Sequence, residues 1–236
     1  MLTIGDKLPD FTVPVQQGVS ALPAGETLSQ DAFPGKWKVL FYWPKDFTFV
    51  CPTEIVGYAQ LKDDFADRDA VLIGASTDTA HVHLAWRKSD PDLAAADFPW
   101  IADNGRVLAD ALGIVDKNEH VAYRATFIID PDNVIQHVTI NGLNVGRNPQ
   151  ETLRVLDALQ TDELCPCNWN KGDDVLQLAA ESSCRPGAEP SPDPFSRGPG
   201  EGCRSNAVGG PDWGVVYLEP FHVDQGICWA TARFRQ

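Results

Sequence analysis

The chain has no apolar run approaching the ~20 residues that a membrane-spanning helix needs. Its opening stretch, Met1-Leu-Thr-Ile-Gly-Asp-Lys7, has neither the basic flank nor the apolar core of a secretory signal. Both absences lead to the expectation of a soluble, cytoplasmic protein that does not engage a membrane. A basic cluster is missing as well: 19 Lys and Arg stand against 33 Asp and Glu, a net charge of −14. Such a chain repels phosphate backbones, so nucleic acid is not an expected partner. No internal repeat is present. What remains, 43% hydrophobic and 22% charged over 236 residues, is ordinary for one large globular domain or one domain with an extension.

Lysine is absent beyond Lys171, and residues 182–236 hold six acids and five arginines, so almost all of the negative charge lies earlier. The same 55 residues contain seven prolines and eight glycines, and 186–202 has no periodicity. Composition of this kind cannot bury enough apolar surface to order itself, and a disordered tail is expected there. One short run, Trp213-Gly-Val-Val-Tyr-Leu218, suits a strand if something pairs with it.

Before that point the pattern is regular. Residues 38–43 form an apolar run ending at Pro44, which predicts a buried strand. Pro52 then opens a segment with Ile55, Tyr58, Ala59, Leu61 and Phe65 near helical spacing. A second buried strand is expected at 71–75, a helix from His81 to Lys88, and a short helix from Arg106 to Leu112 stopped by Gly113. Tyr123–Asp130 and Val134–Ile140 are β-rich runs around Pro131-Asp-Asn133, a hairpin signal, and Glu151–Gln160 is the last helix. The order β-α-β-α-α-β-β-α, with crossovers first and a hairpin late, predicts an α/β fold of thioredoxin-like pattern: a central mixed sheet flanked by helices.

Six cysteines without a secretory signal argue against a disulfide framework and for redox, metal-binding or buried roles. Cys51 stands where the strand meets the helix. Pro52 suits the first helical position, which places Cys51 at or beside the N-cap, where the helix dipole favours an anion. A thiol in such a place can fall from a pKa of ~8.5 to roughly 3.5–7.5, and the thiolate is the nucleophile. Thr48, three residues earlier, can return its hydroxyl toward the sulfur. A structural cysteine buried at a strand-helix corner would satisfy the same local pattern.

The longer string distinguishes the two. Phe41-Tyr-Trp-Pro44-Lys-Asp-Phe-Thr48-Phe-Val-Cys51-Pro-Thr-Glu54-Ile, with its PxxxTxxC core, resembles the active-site signature of the peroxiredoxins, close to their typical two-cysteine branch, the alkyl hydroperoxide reductase C type. The resemblance continues through His81-Val-His-Leu-Ala-Trp86, Arg124-Ala-Thr-Phe-Ile-Ile-Asp-Pro, Val145-Gly-Arg147-Asn and the segment ending Cys165-Pro-Cys167-Asn-Trp169, covering about residues 1–178. It implies a thiol peroxidase with no bound cofactor or metal. Cys51 is then the peroxidatic cysteine, Thr48 and Arg124 are donors to the peroxide, and Pro44 shields the sulfur. Glu54 and Arg147 orient the site, with Trp86 near it. An ordinary surface salt bridge is the plainer reading of Glu54 and Arg147.

The resemblance also implies that Cys165, or Cys167 two residues on, resolves the oxidised Cys51 from a partner subunit. An obligate homodimer follows, assembling into a ring of dimers. The Cys-x-Cys pair resembles a bacterial sub-branch reduced by an alkylhydroperoxidase D-like partner that is served by lipoyl domains and an NADH-linked flavoenzyme. Other members use a flavoprotein reductase subunit or thioredoxin. The chain lacks a Gly-Gly-Leu-Gly insertion and a Tyr-Phe ending, so it resembles the members that resist overoxidation. Three regions are therefore expected: a thioredoxin-like domain at 1–163, a resolving-cysteine segment at 164–181, and the tail at 182–236. Nothing in the tail matches the family. Its composition is what an altered reading frame or readthrough gives, and that reading is preferred to an extra domain, leaving Cys184, Cys203 and Cys228 incidental.

Three other readings compete. A ring-forming holdase chaperone or redox relay would use the same assembly. A disulfide reductase would need C-x-x-C at the helix start, and position 54 is Glu. A zinc site from Cys165, Cys167, Cys184 and Cys203 has a spacing unlike that of zinc ribbons. His81 and His83 read as packing or surface residues, and Trp37 and Trp43 as core aromatics.

Overall fold

The run from Val39 to Trp43 is apolar throughout because both of its faces are covered. Val39, Phe41 and Trp43 join one buried cluster, with Phe65, Trp86, Leu93 and Leu156. Leu40 and Tyr42 join another, with Val13, Val15, Leu108, Leu112 and Phe127. Side chains of a strand alternate between faces, so a strand covered on one side would carry a polar residue at every second position.

The computed structural model describes residues 1–19 and 25–177. In chain order it contains β1 (Thr12–Gln16), β2 (Thr27–Ser29), β3 (Trp37–Tyr42), α1 (Cys51–Gln60), α2 (Lys62–Ala66), β4 (Ala70–Ser76) and α3 (Ala80–Ser89). Then follow α4 (Pro91–Ala95), β5 (Trp100–Ala102), α5 (Val107–Leu112), β6 (Arg124–Ile129), β7 (Ile135–Asn141) and α6 (Pro149–Thr161). These elements lie in one unit, Met1–Leu178. The expected tail at 182–236, the strand at Trp213–Leu218 and Cys184, Cys203 and Cys228 lie outside the described residues.

The strands form one mixed sheet of order β2-β1-β5-β4-β3-β6-β7. β3, β4 and β5 run parallel, joined by the helical crossovers, while β6 returns antiparallel to β3 and continues into β7. Asp130 makes the hairpin turn: its Oδ1 accepts from the backbone N–H of Asp132 and Val134, each at 2.9 Å. Gly74 on β4 makes room for Trp43, because a Cβ there would lie 2.7 Å from the indole Cζ3.

Where the structure departs from expectation, the reason is local. The helix expected from Pro52 through Phe65 divides at Leu61 into α1 and α2. Asp90-Pro91 starts α4, unread in the sequence, with Asp90 Oδ1 accepting from Asp92 N at 2.9 Å. Arg106 is the N-cap of α5 rather than its first residue, whereas Gly113 ends that helix at φ +73°. β1, β2 and β5 were also unread; two have three residues and the other holds a proline.

Candidate active site

The C-terminal end of β3 runs through buried Pro44 into a loop, and the loop delivers Cys51 as the first residue of α1. Pro52 is therefore the second helical residue, one place further on than the spacing suggested. Val50 is the N-cap and offers no side-chain hydrogen bond. The positive end of the helix dipole is thus left to the sulfur, which is 0% exposed.

Two donors converge on that sulfur. Thr48 Oγ1 lies 2.9 Å from Cys51 Sγ and also 2.9 Å from the carbonyl of Lys45, so its one proton can serve either acceptor. Arg124 Nη1 lies 3.3 Å from Sγ and 2.5 Å from Glu54 Oε2, while its Nε donates to Leu143 O at 2.8 Å. Arg124 opens β6, and its side chain is buried. Burial works against its charge, but the Cys51 sulfur and the Glu54 carboxylate beside it lift its pKa above the ordinary arginine value.

Glu54 is shared. Its other oxygen accepts from Arg147 Nε at 2.8 Å and from Arg147 N at 2.9 Å, and the side chains of the pair are only 2% and 3% exposed. The surface-salt-bridge reading is thereby corrected: two guanidinium groups and one carboxylate are sealed in together. Arg147 Nη1 also donates to Ala125 O at 2.7 Å. Two cations against one anion leave the cluster one negative charge short. Cys51 is the further group bonded to it, through Arg124 Nη1.

Trp86 shares the buried cluster of Cys51, and its ring centroid lies 5.8 Å from that of Phe47 in the loop. Phe49, two residues before the cysteine, is 95% exposed. Cys165 and Cys167 lie apart from this constellation, beyond α6. Cys165 is half-buried, 3.4 Å from Thr161 Oγ1, and Cys167 is exposed. Their segment is closed by a bridge between Leu164 and Leu176 and pinned by Arg154 Nη1, which donates to Trp169 O at 2.8 Å. The Arg154 guanidinium is raised above its ordinary pKa chiefly by its hydrogen bond to Glu151. Among the described residues no hydrogen bond joins either cysteine to Cys51.

His81 is exposed, whereas His83 is buried against Asp46, a residue that sequence reasoning passed over. The partners lie 37 positions apart, beyond the reach of local spacing. No group of three or more His, Cys, Asp and Glu side chains suited to a metal occurs among the described residues. Two members of the zinc reading, Cys184 and Cys203, lie outside them.

Comparison with known proteins gives this geometry a context. A model of the AhpC/TSA family matches residues 4–138. Alkyl hydroperoxide reductase C of Mycobacterium tuberculosis is 48% identical over 184 residues, which cover 75% of this chain and 94% of that protein. Peroxiredoxin-1 of Gallus gallus is 39% identical over 189 residues, 76% of this chain and 92% of that protein. The solved structure of Mycobacterium bovis AhpC superposes with a TM-score of 0.66 at 47% identity, covering 72% of this chain and 99% of the other. The fold is accordingly the thioredoxin-like pattern read from the element order, in the peroxiredoxin form that the motif resemblance implied. A family match across more than half of the sequence, and relatives shared over nearly their whole length, establish that the chain belongs to the AhpC/TSA family.

Proposed function

We infer that this chain, an enzyme of the peroxiredoxin type, reduces hydrogen peroxide and organic hydroperoxides through Cys51. The observation that carries the reading is the buried sulfur held between Thr48 Oγ1 at 2.9 Å and Arg124 Nη1 at 3.3 Å. The Cys51 thiolate attacks one peroxide oxygen; the O–O bond breaks, and the leaving oxygen takes a proton to depart as water or alcohol. Cysteine is oxidised by two electrons to the sulfenic acid. Charge gathers on both oxygens during the displacement, and fixed donors aimed at them lower the barrier. Pro44 keeps water from the sulfur. Glu54 and Arg147 hold Arg124 in line.

The second half of the cycle belongs to Cys165, with Cys167 as the alternative. A thiol from that pair displaces hydroxyl from the sulfenic acid, forming a disulfide and releasing water. A fully buried Cys51 cannot meet a thiol on another segment without leaving its pocket, so the first turn of α1 must open for this step. The resolving thiol comes from the second protomer of a homodimer, and the dimers close into a ring. An alkylhydroperoxidase D-like dithiol partner, ultimately NADH-linked, reduces the disulfide; a flavoprotein reductase subunit or thioredoxin are the alternatives. Residues 1–163 form the peroxidase domain and 164–181 the resolving segment, and the site of action is cytoplasmic. No helix among the described residues is long and apolar enough to cross a membrane.

Peroxide consumption by wild type and by Cys51→Ser, with a small dithiol as reductant, tests the reading. Turnover should vanish on substitution. Unchanged turnover would overturn it, and unchanged suppression of client aggregation in a variant without turnover would favour the holdase.

A further inference from the structure

Beneath the loop that carries Cys51, two ionisable side chains are sealed from water and used by no step above. His83 and Asp46 are each 0% exposed, with His83 Nδ1 lying 2.7 Å from Asp46 Oδ2. His83 Nε2 lies 3.1 Å from the carbonyl oxygen of Ile101. A carbonyl only accepts, so Nε2 carries a proton and donates it. The contact between Nδ1 and Oδ2 then holds one further proton, whether on the ring or on the carboxyl. Asp46 Oδ1 accepts from Trp43 Nε1 at 2.7 Å. Rings of Trp43 and Trp100 wall the imidazole at centroid distances of 5.6 and 5.5 Å.

The pair grips the start of the active-site loop. Asp46 N donates to Asp78 Oδ2 at 2.9 Å, fixing the same residue from its backbone side. The adjoining carbonyl, Lys45 O, accepts from Thr48 Oγ1 at 2.9 Å, and that hydroxyl is the one that reaches Cys51 Sγ. Phe47 follows Asp46 at φ +54°, a setting that a bulky side chain keeps only when its neighbours hold it there. A rigid support therefore lies directly under the residues that place the Thr48 donor.

We propose that His83 and Asp46 are positioning residues for peroxide reduction, setting the loop so that the Thr48 hydroxyl meets the Cys51 sulfur. Neither touches the reacting atoms. The proposal rests on Cys51 being the peroxidatic thiol. A pair that merely stabilised the fold would affect every reaction of Cys51 alike, whereas a positioning pair affects the reaction that needs aligned donors.

Two rates measured on the reduced full-length protein separate these roles: oxidation of Cys51 by hydrogen peroxide, followed by tryptophan fluorescence, and alkylation of Cys51 by iodoacetamide, mapped by peptide mass. Alkylation needs a reachable sulfur but no donor on a leaving oxygen. His83→Phe keeps a ring among the tryptophans and removes both nitrogens. It should slow the peroxide step about tenfold or more while alkylation is no slower than in wild type. Asp46→Leu should do the same. Asp46→Asn keeps an acceptor for Trp43 and offers an N–H to the neutral imidazole, and should recover the peroxide rate to within about threefold of wild type. A peroxide rate unchanged in His83→Phe with native circular dichroism would overturn the proposal. So would both rates falling by the same factor, or Asp46→Asn failing as badly as Asp46→Leu. If the phenylalanine and leucine variants do not fold, His83→Gln takes their place under the same criteria. Wild-type Cys51 that peroxide does not oxidise would sink the assignment of Cys51 itself, which the wild-type control reads separately.

Discussion

Glu54→Gln is the sharpest perturbation of the charge cluster. Glu54 accepts from Arg124 Nη1 at 2.5 Å and from Arg147 Nε and N at 2.8 and 2.9 Å, with its side chain 2% exposed. Glutamine keeps the shape but removes the charge and turns one acceptor into an N–H₂. Whichever way the amide is turned, that group meets a donor, on Arg124 in one orientation and on Arg147 in the other. Breaking a buried ion pair by neutralising one partner costs about 3–5 kcal/mol. In a chain of this size each kcal/mol moves Tm by ~2–4 °C, so melting should fall by roughly 6–20 °C at fixed protein concentration. Arg124 keeps its bond to Leu143 O but loses its carboxylate, and the misalignment should slow oxidation of Cys51 by about 10–100-fold. Thermal melting by circular dichroism and stopped-flow oxidation with hydrogen peroxide read the two effects. A variant that melts within about 2 °C of wild type and reacts at its rate would refute the claim that this cluster holds the site.

Thr48→Val removes the hydroxyl that lies 2.9 Å from the sulfur and should lower the peroxide rate by about 10²–10³-fold, with Thr48→Ser recovering most of it; equal rates for the two variants would contradict the donor role. Gly74→Ala drives a methyl to 2.7 Å from Trp43 Cζ3 and 3.2 Å from the Phe98 ring, and should destabilise by about 1–3 kcal/mol in urea titration while shifting tryptophan emission. Asp103, 1% exposed, has its carboxyl pushed above the usual range by burial in spite of donors from Ala109, Leu108 and Tyr42. It binds its proton more tightly folded than unfolded, so its contribution is greatest below the ordinary aspartate value and is lost as pH rises through the raised one. The stability of Asp103→Asn relative to wild type should therefore increase with pH across that window, and a difference that does not vary with pH would contradict it. Cys165→Ser and Cys167→Ser should leave the first oxidation of Cys51 at the wild-type rate and slow disulfide formation, more severely in Cys165→Ser; a loss of the first oxidation would contradict the division of labour.

The sequence made the centre of the molecule legible because β3 and β4 are covered on both faces and read as unbroken apolar runs. The hairpin of β6 and β7 was legible through Pro131-Asp-Asn133, which has few other uses. Strands β1, β2 and β5 carry no such signal: β5 is three residues long and β1 contains Pro14, so their pairing is decided by the tertiary frame. The break between α1 and α2 has neither glycine nor proline to announce it. In the site, Cys51, Thr48, Glu54 and Arg124 were readable from one motif and from a charge placed at the head of an apolar strand. Burial of Glu54 with Arg147 was not, because a surface pair and a sealed pair have the same composition. The pairing of Asp46 with His83 was missed for a related reason: His83 read only as a packing or surface residue and Asp46 looked ordinary, until the fold brings positions 37 apart into contact.

The central claim is that Cys51 reacts first and that a thiol of the Cys165–Cys167 pair then closes on it. Reduced protein treated with one equivalent of hydrogen peroxide, quenched and digested, reports the outcome by disulfide mapping. The account predicts a link from Cys51 to Cys165 or Cys167, made between chains. A link from Cys51 to Cys184, Cys203 or Cys228 would contradict the assignment of the resolving step, and an unmodified Cys51 would contradict the account at its root.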